Sequence, residues 1–234
     1  MVSRPAGSMQ ARAPAAPRRT LTKGATDVVD RATTERGSSL ARSALRFAVH
    51  CHAGQRRKSD GAAFIEHPLE VARLLRDAGC PDVLVAAGLL HDVMAQTHVS
   101  SDELAARFGT VVADLVQAVT DDSCVHSYRQ RKQVLCEQVR DAGDDAALLF
   151  AADKISELRE LPAQMGRDWA RFDTRCGSRA RDRLEHYHQM RLEHYRESLD
   201  MLLRVAPRHP LVNRLESDLD EWPSAAGRVD PRHR

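Results

Sequence analysis

The adjacent pair His91-Asp92 is the part of the sequence whose side chains most directly suggest chemistry. The pair stands at the end of an apolar, helix-like run. One imidazole nitrogen and one carboxylate oxygen from neighbouring positions suit Mn, Fe or Zn rather than Ca. A pair of this kind also occurs by chance, and a histidine on an apolar helix is often a hydrogen-bonded core residue. Alone, the pair leaves both a metal site and a structural role open.

Two further residues offer ligands elsewhere in the chain. His67 precedes Pro68, a residue typical of the first turn of a helix. Asp153 lies in the largely apolar stretch 146–155, where an unpaired carboxylate is costly to bury and a bound cation would remove that cost. His67 and Asp153 are therefore a third and a fourth candidate ligand.

Five ordered segments together resemble the HD-domain metal-dependent phosphohydrolases. They are His-x-Gly-Gln-x-Arg-Lys-Ser at 52–59, His-Pro-x-x-Val-Ala at 67–72, Leu-Leu-His-Asp-Val at 89–93, Phe-Gly-x-x-Val-Ala-x-Leu-Val-x-x-Val-Thr at 108–120 and Ala-Asp-Lys-Ile at 152–155. Within that family the chain looks most like the hydrolase domain of RelA/SpoT-type alarmone enzymes and their small stand-alone relatives. The resemblance covers roughly residues 40 to 215.

This resemblance implies an all-α fold, a single HD-domain helical bundle. It also implies that His67, His91, Asp92 and Asp153 are the metal ligands and that the divalent metal is manganese. The substrate it implies is a phosphorylated nucleotide, guanosine tetraphosphate or pentaphosphate, which would lose its 3′-pyrophosphate.

Two departures from the family pattern lie beside these ligands. The family reads His-Asp-x-x-Glu-Asp-Thr, where Glu and Asp position and activate the attacking water, and this chain has Ala95 and Gln96 at those places. Neither accepts a proton, and loss of a general base costs about a hundred- to ten-thousand-fold in rate. After Asp153, Glu157 replaces the asparagine that helps to bind the sugar in the family.

Glu157 is the candidate catalytic residue. It follows Asp153 by four positions, a spacing that puts both side chains on one face of a helix. It either replaces the missing carboxylate or repels a polyanionic nucleotide and so marks a changed substrate. The alternative is a solvated glutamate paired with Arg159, Arg167 or another neighbour, since such ion pairs are common and weak.

The basic cluster 56–58 lies between two of the matched segments. A phosphate-rich ligand beside a metal needs such charges, and we expect Arg57 and Lys58 to bind it. Phe64 stands where the family commonly has an aromatic residue against the nucleoside. The alternative for the basic cluster is a solvated loop, and the alternative for Phe64 is an aromatic residue of the core. We interpret His52 as structural.

Helix-like apolar spacing and the absence of sustained strand-like alternation agree with an all-α domain. Aromatic residues make up 4% of the chain, which favours helices packed through aliphatic faces. The predicted helices are Ser43–Cys51, Leu69–Asp77, Pro81–Gln96, Ser101–Arg107, Thr110–Val119, Tyr128–Arg140, Asp144–Leu161, Arg179–Val205 and Leu211–Trp222. Phe108-Gly109 is read as a helix end.

The composition of residues 1–37 predicts a disordered basic arm. The resemblance implies an HD-like domain at 38–215, which leaves a C-terminal tail at 216–234. The arm is rich in Ala, Pro, Arg, Ser and Gly and has no apolar periodicity. The chain has no apolar run of about eighteen residues, so no membrane span is predicted. Arg18-Arg19 is not followed by the apolar segment of an export signal.

Five cysteines without Cys-x-x-Cys spacing argue against a disulfide framework or a zinc ribbon and indicate the cytoplasm. A net charge of +2 gives no strong nucleic-acid signal. The oligomeric state stays open. Three functions remain: hydrolysis of the alarmone nucleotide, hydrolysis of a different phosphate ester, and a catalytically impaired sensor that binds the nucleotide.

Overall fold

The computed structural model describes residues 38–171 and 178–222. Within these ranges the regular secondary structure is α-helical, with an isolated β-bridge between Arg56 and Ala63. The all-α fold expected from the sequence is therefore confirmed. The predicted arm at 1–37 and Cys176 lie outside the described residues. The helices are α1 (Ser39–Cys51), α2 (Glu66–Asp77), α3 (Asp82–Leu90), α4 (Val93–Gln96), α5 (Ser101–Phe108), α6 (Thr110–Ala118), α7 (Tyr128–Ala142), α8 (Asp144–Arg171), α9 (Ser178–Val205) and α10 (Pro210–Asp220).

Helix α3 forms the centre of the fold. Every residue from Leu84 to Leu90 is buried, and a helix that is apolar on all sides is typical of a core position. Helices α1, α2 and α6 pack around it. Gly88 lets α2 approach closely, because a Cβ at this position would lie 2.7 Å from Cδ1 of Leu75. The end of α3, where His91 follows, therefore lies inside the core.

The helix predicted at Pro81–Gln96 is interrupted in the structure. Helix α3 ends at Leu90 and α4 begins at Val93, so that His91 and Asp92 form the junction. Adjacent residues of a regular helix do not face one another. Here the Oδ2 of Asp92 lies 3.3 Å from Nε2 of His91. The junction therefore turns the two side chains toward the same point.

Helix α8 continues beyond its predicted end. The sequence predicted an end at Leu161, since Pro162 lacks a backbone N–H and disfavours a helical residue before it. That prediction was wrong, because α8 runs through Pro162. The second half of α8 packs against α9, where Nη1 of Arg191 donates to Oε1 of Gln164 at 2.8 Å. Contacts between the helices thus offset the local cost of the proline.

Other helix ends follow their sequence signals. Gly109 ends α5 with a φ of 91°, a conformation that favours glycine. The last helix extends past residue 215, where the sequence placed the end of the domain, and Leu219 and Trp222 pack against the core. None of the helices in the described residues has the length and apolar character that a bilayer-spanning segment needs.

Candidate metal centre

Four side chains from separate parts of the fold meet at one point. His67 lies in the first turn of α2, His91 and Asp92 join α3 to α4, and Asp153 lies in α8. The Nε2 of His67 lies 3.2 Å from Nε2 of His91 and 3.2 Å from Oδ1 of Asp153. The Oδ2 of Asp92 lies 3.6 Å from Nε2 of His67. Asp92 is half-buried and the other three are buried. The structure therefore brings together all four predicted ligands.

Hydrogen bonds fix which nitrogen of each imidazole faces this point. The Nδ1 of His91 lies 2.8 Å from the carbonyl oxygen of Gly88, which only accepts, so this Nδ1 carries a proton. The Nδ1 of His67 lies 2.9 Å from Oγ of Ser156, and that hydroxyl donates to Oε2 of Glu70 at 3.1 Å. Ser156 therefore accepts from His67. In their neutral forms, both imidazoles present the Nε2 lone pair to the cluster.

The cluster requires positive charge. Without it, two lone-pair nitrogens and two carboxylate oxygens would repel one another at close range. Although burial opposes the charged form, Asp153, Glu160 and Asp92 raise the pKa of His67 well above its ordinary value. Against the same effect of burial, Asp92 and Asp153 raise the pKa of His91. A divalent cation fits this donor set of imidazoles and carboxylates and would supply the charge.

Lys154 neutralises the second oxygen of Asp153. Its buried Nζ lies 2.9 Å from Oδ2 of that carboxylate. Although burial opposes ionisation, Lys154 and the hydrogen bonds from His67 and His91 hold the pKa of Asp153 well below its ordinary value. Asp153 is therefore ionised, with Oδ1 facing the histidines and Oδ2 facing the lysine.

Glu157 lies one helical turn after Asp153 on α8. Its Oε2 accepts a hydrogen bond from Nζ of Lys154 at 2.6 Å, and its side chain is 38% exposed. The alternative expected from the sequence was an ion pair with Arg159, Arg167 or another neighbour, and in the structure that neighbour is Lys154. The carboxylate is thus joined to the cluster through the lysine, which also contacts Asp153.

Arg57 anchors the loop between α1 and α2. Its guanidinium contacts three carboxylates, those of Asp60, Glu66 and Glu160. Ser59 adds a second bond to α8, because its Oγ donates to Oε2 of Glu160 at 2.7 Å. The other oxygen of Glu160 lies 3.6 Å from Nδ1 of His67. The loop that carries the predicted phosphate contacts is therefore tied to a ligand of the cluster.

Lys58 and Phe64 lie on the same loop. Lys58 is exposed, and Phe64 is half-buried. The ring centroid of Phe64 lies 4.8 Å from that of His52 and 6.2 Å from that of His67. His52 is buried, and its Nδ1 lies 2.9 Å from Oε1 of Gln55. Phe64 therefore lies between a buried histidine and a ligand of the cluster.

Ala95 and Gln96 lie on α4, directly after the His91-Asp92 junction. Both are exposed. The backbone carbonyl of Gln96 accepts a hydrogen bond from Nε2 of Gln55 at 3.2 Å, which ties α4 to the loop after α1. Neither side chain accepts a proton, so α4 brings no general base to the cluster.

Sequence reasoning did not find the polar residues that contact the predicted ligands or their hydrogen-bond partners. They are Glu70, Lys154, Ser156 and Glu160. A signal existed for two of them, because Ser156 follows Asp153 by three positions and Glu70 follows His67 by three, a spacing that shares a helix face. Glu160 contacts Arg57 from 103 positions away, and no local pattern predicts that pair.

Comparison with known proteins identifies the family. A family model described as the HD domain matches residues 44–175. The chain belongs to the HD-domain family. All four side chains of the cluster lie within the matched HD-domain residues. The HD-domain fold expected from the sequence is thereby confirmed.

The HD domain of this chain is similar to named hydrolases. Over 130 residues it is 40% identical to guanosine-3′,5′-bis(diphosphate) 3′-pyrophosphohydrolase MESH1 of Mus musculus, a match that covers 53% of this chain and 72% of that protein. The human protein of the same name is 38% identical over 139 residues, which cover 57% of this chain and 77% of that protein.

The fold of this chain is also similar to solved structures. One, described as a metazoan ortholog of SpoT that hydrolyzes ppGpp, matches with a TM-score of 0.58 and 26% identity over 78% of this chain and 95% of its own. Another, lmo0812 from Listeria monocytogenes, matches with a TM-score of 0.53 and 28% identity over 66% of this chain and 91% of its own. The resemblance to RelA/SpoT-type HD domains is therefore confirmed.

Proposed function

We propose that the protein is a metal-dependent phosphohydrolase that removes the 3′-pyrophosphate from guanosine 3′,5′-bis(diphosphate) or the corresponding pentaphosphate, with Mn²⁺ as its metal. One observation carries the proposal: four donor atoms meet at a single point in an HD domain. The names of the relatives support the substrate, because the MESH1 proteins are named for this reaction.

In this proposal His67, His91, Asp92 and Asp153 hold the metal. A bound divalent cation lowers the pKa of a coordinated water toward neutrality. The protein must also move a proton, and Glu157 is the residue proposed for it. Its partly exposed carboxylate lies one turn beyond Asp153 and is joined to it through a lysine.

Two basic residues are proposed to bind the phosphates. Lys58 is exposed and free to meet a polyanionic ligand by side-chain rotation. Arg57 already contacts three carboxylates, so a phosphate oxygen would compete with them for its guanidinium. Phe64 is proposed to contact the nucleoside, since it lies beside His67. We therefore expect Lys58→Ala to raise KM with little change in kcat.

The test is a measurement of turnover beside binding. The protein is purified with Mn²⁺, and release of pyrophosphate or phosphate is followed for a panel of nucleotides while calorimetry measures their binding. Release of pyrophosphate from guanosine tetraphosphate supports the proposal. Turnover of a different phosphate ester, with none of the tetraphosphate, contradicts the substrate and favours the alternative that Glu157 marks a changed ligand.

The second candidate function is a sensor that binds the nucleotide without hydrolysing it. The exposed Ala95 and Gln96 on α4 favour it, because neither accepts a proton. Tight binding without turnover, with turnover restored by Ala95→Glu combined with Gln96→Asp, would establish the sensor. We expect the restored rate to exceed that of the natural sequence by about a hundredfold or more.

A further inference from the structure

We infer that Ser156 and Glu70 form a hydrogen-bonded relay that holds His67 in the orientation and tautomer needed to bind the metal. The relay joins the two helices that carry His67 and Asp153, since Glu70 lies on α2 and Ser156 on α8. The inference rests on the metal site of the proposed function. It concerns positioning residues, because neither contacts the four donor atoms.

The direction of each hydrogen bond follows from the chemistry of the groups. An ionised glutamate only accepts, so Oγ of Ser156 must donate its proton to Oε2 of Glu70 across 3.1 Å. The remaining lone pairs of Oγ then accept from Nδ1 of His67 across 2.9 Å. The proton of the neutral imidazole is thereby held on Nδ1, and Nε2 keeps the lone pair that a metal requires.

The far end of the relay is also fixed. Nη1 of Arg159 donates to Oε1 of Glu70 at 2.8 Å, and Nε of Arg159 lies 3.6 Å from Oδ2 of Asp218 on α10. Glu70 is therefore held by a cation on one oxygen and by Ser156 on the other. Ser156 is fully buried, so water does not compete for its hydroxyl.

The two histidines of the cluster are thus oriented by different means. His91 donates to a backbone carbonyl, that of Gly88, which no side-chain substitution removes. His67 depends on side chains, and Ser156 is the nearer partner of its Nδ1, since Oε1 of Glu160 lies 3.6 Å from that nitrogen. The hydrogen-bond partner of His67 is therefore one that truncation of a side chain removes directly.

The test measures Mn²⁺ affinity without substrate, by calorimetry on the full chain. We expect Ser156→Ala to weaken binding about tenfold to a hundredfold, the usual effect of losing a partner that orients a ligand. We expect a smaller loss for Glu70→Gln. Because Glu70 acts through Ser156, the double variant should lose no more affinity than Ser156→Ala alone.

Ser198→Ala is the matched control. Ser198 is also a fully buried serine beside a histidine, with Oγ 3.4 Å from Nδ1 of His194, but it lies outside the cluster. The control should bind Mn²⁺ within about twofold of the natural protein, because Ser198 shares no hydrogen bond with the four donor side chains. Far-UV circular dichroism and the unfolding temperature, measured without metal, verify that each variant is folded.

The possible outcomes separate the two proposals. If the natural protein binds no divalent metal, the proposed function fails, and the relay fails with it. If the natural protein binds Mn²⁺ and folded Ser156→Ala binds it equally well, the relay alone is wrong. If Ser156→Ala does not fold, Glu70→Gln is the deciding variant, because Glu70 is partly exposed. An unchanged Mn²⁺ affinity of Glu70→Gln overturns the relay, and a severalfold loss of that affinity supports it.

Discussion

At the scale of single residues, the chemistry depends on which atom of each side chain faces the cluster. The two oxygens of Asp153 have different partners, since Oδ1 faces His67 and His91 while Oδ2 faces Lys154. The lysine offsets one negative charge of the site. With both imidazoles neutral, as metal binding requires, the two carboxylates and this buried lysine sum to a charge of −1. A divalent cation would reverse that sign and attract a phosphorylated ligand.

Protons and metal should compete for the two histidines. The pKa of His67 is raised well above 6.5 and that of His91 is raised as well, so in the metal-free protein both hold protons more tightly than a free imidazole does. Binding of a metal must release these protons. We therefore expect Mn²⁺ affinity to fall as the pH is lowered, with the decline beginning above pH 6.5.

The measurement is calorimetry at pH 8.5, 7.5 and 6.5 in buffers with different ionisation enthalpies, which counts the protons released. At least one proton should leave for each metal bound near neutral pH. An affinity that stays constant across this range, with no proton release, would contradict the expected competition between protons and metal at the histidines.

Glu157 can be tested apart from the metal. If it accepts the proton in the proposed reaction, Glu157→Ala should lower kcat about tenfold or more while leaving the metal content unchanged, because the four ligands are kept. Glu103→Ala is a control, because this glutamate also forms an ion pair within one helix, with Arg107, but lies on α5 and not on α8. An unchanged rate for Glu157→Ala would remove Glu157 from the mechanism.

At the scale of helices, the position of His91 depends on how closely α2 and α3 pack. Gly88 contributes to this position in two ways. Its lack of a side chain lets Leu75 of α2 approach, and its carbonyl oxygen accepts a hydrogen bond from Nδ1 of His91. Leu75 is fully buried and has little room to move. A methyl group at position 88 should therefore disturb both the packing and the imidazole.

We expect Gly88→Ala to lower the free energy of unfolding by about 1–3 kcal/mol through overpacking, and to weaken Mn²⁺ binding. Gly166→Ala is the matched control, because that helical glycine has no atom within 4 Å of the position of a Cβ. The control should stabilise the protein by about 0.5–1 kcal/mol. Urea unfolding of both variants checks the pair, and equal stabilities would refute the argument.

At the scale of the whole molecule, a metal would join parts of the fold that lie far apart in sequence. The ligands come from the start of α2, the α3–α4 junction and the middle of α8. These helices also meet through their apolar faces. The metal would therefore stabilise the folded domain as a unit, because the unfolded chain has no preformed site.

Mn²⁺ should raise the unfolding temperature of the protein. At a free concentration of about one hundred times Kd, binding to the folded state adds about 2.7 kcal/mol to the free energy of unfolding. A chelator should reverse the effect. The variant His67→Ala should show a much smaller shift, and a shift equal to that of the natural protein would place the bound metal elsewhere.

Much of this fold follows from local sequence. The apolar spacing predicts the helices, Gly109 ends α5 as expected, and the five matched segments indicate the HD domain. Local rules failed at two places. Pro162 does not end α8, and the helix predicted at 81–96 is broken at His91-Asp92. At Pro162 the continued helix packs against α9, a contact that no single segment encodes.

The sequence alone determined the types of the four donor side chains and the helices that carry His67 and Asp153, because both depend on residue identity and local spacing. Only the tertiary structure decided how the donors are oriented. Ser156 and Glu70 are 86 positions apart, and Arg57 and Glu160 are 103 positions apart. Contacts at such separations depend on how helices pack in three dimensions, whereas helix propensity and motif spacing act within a few turns.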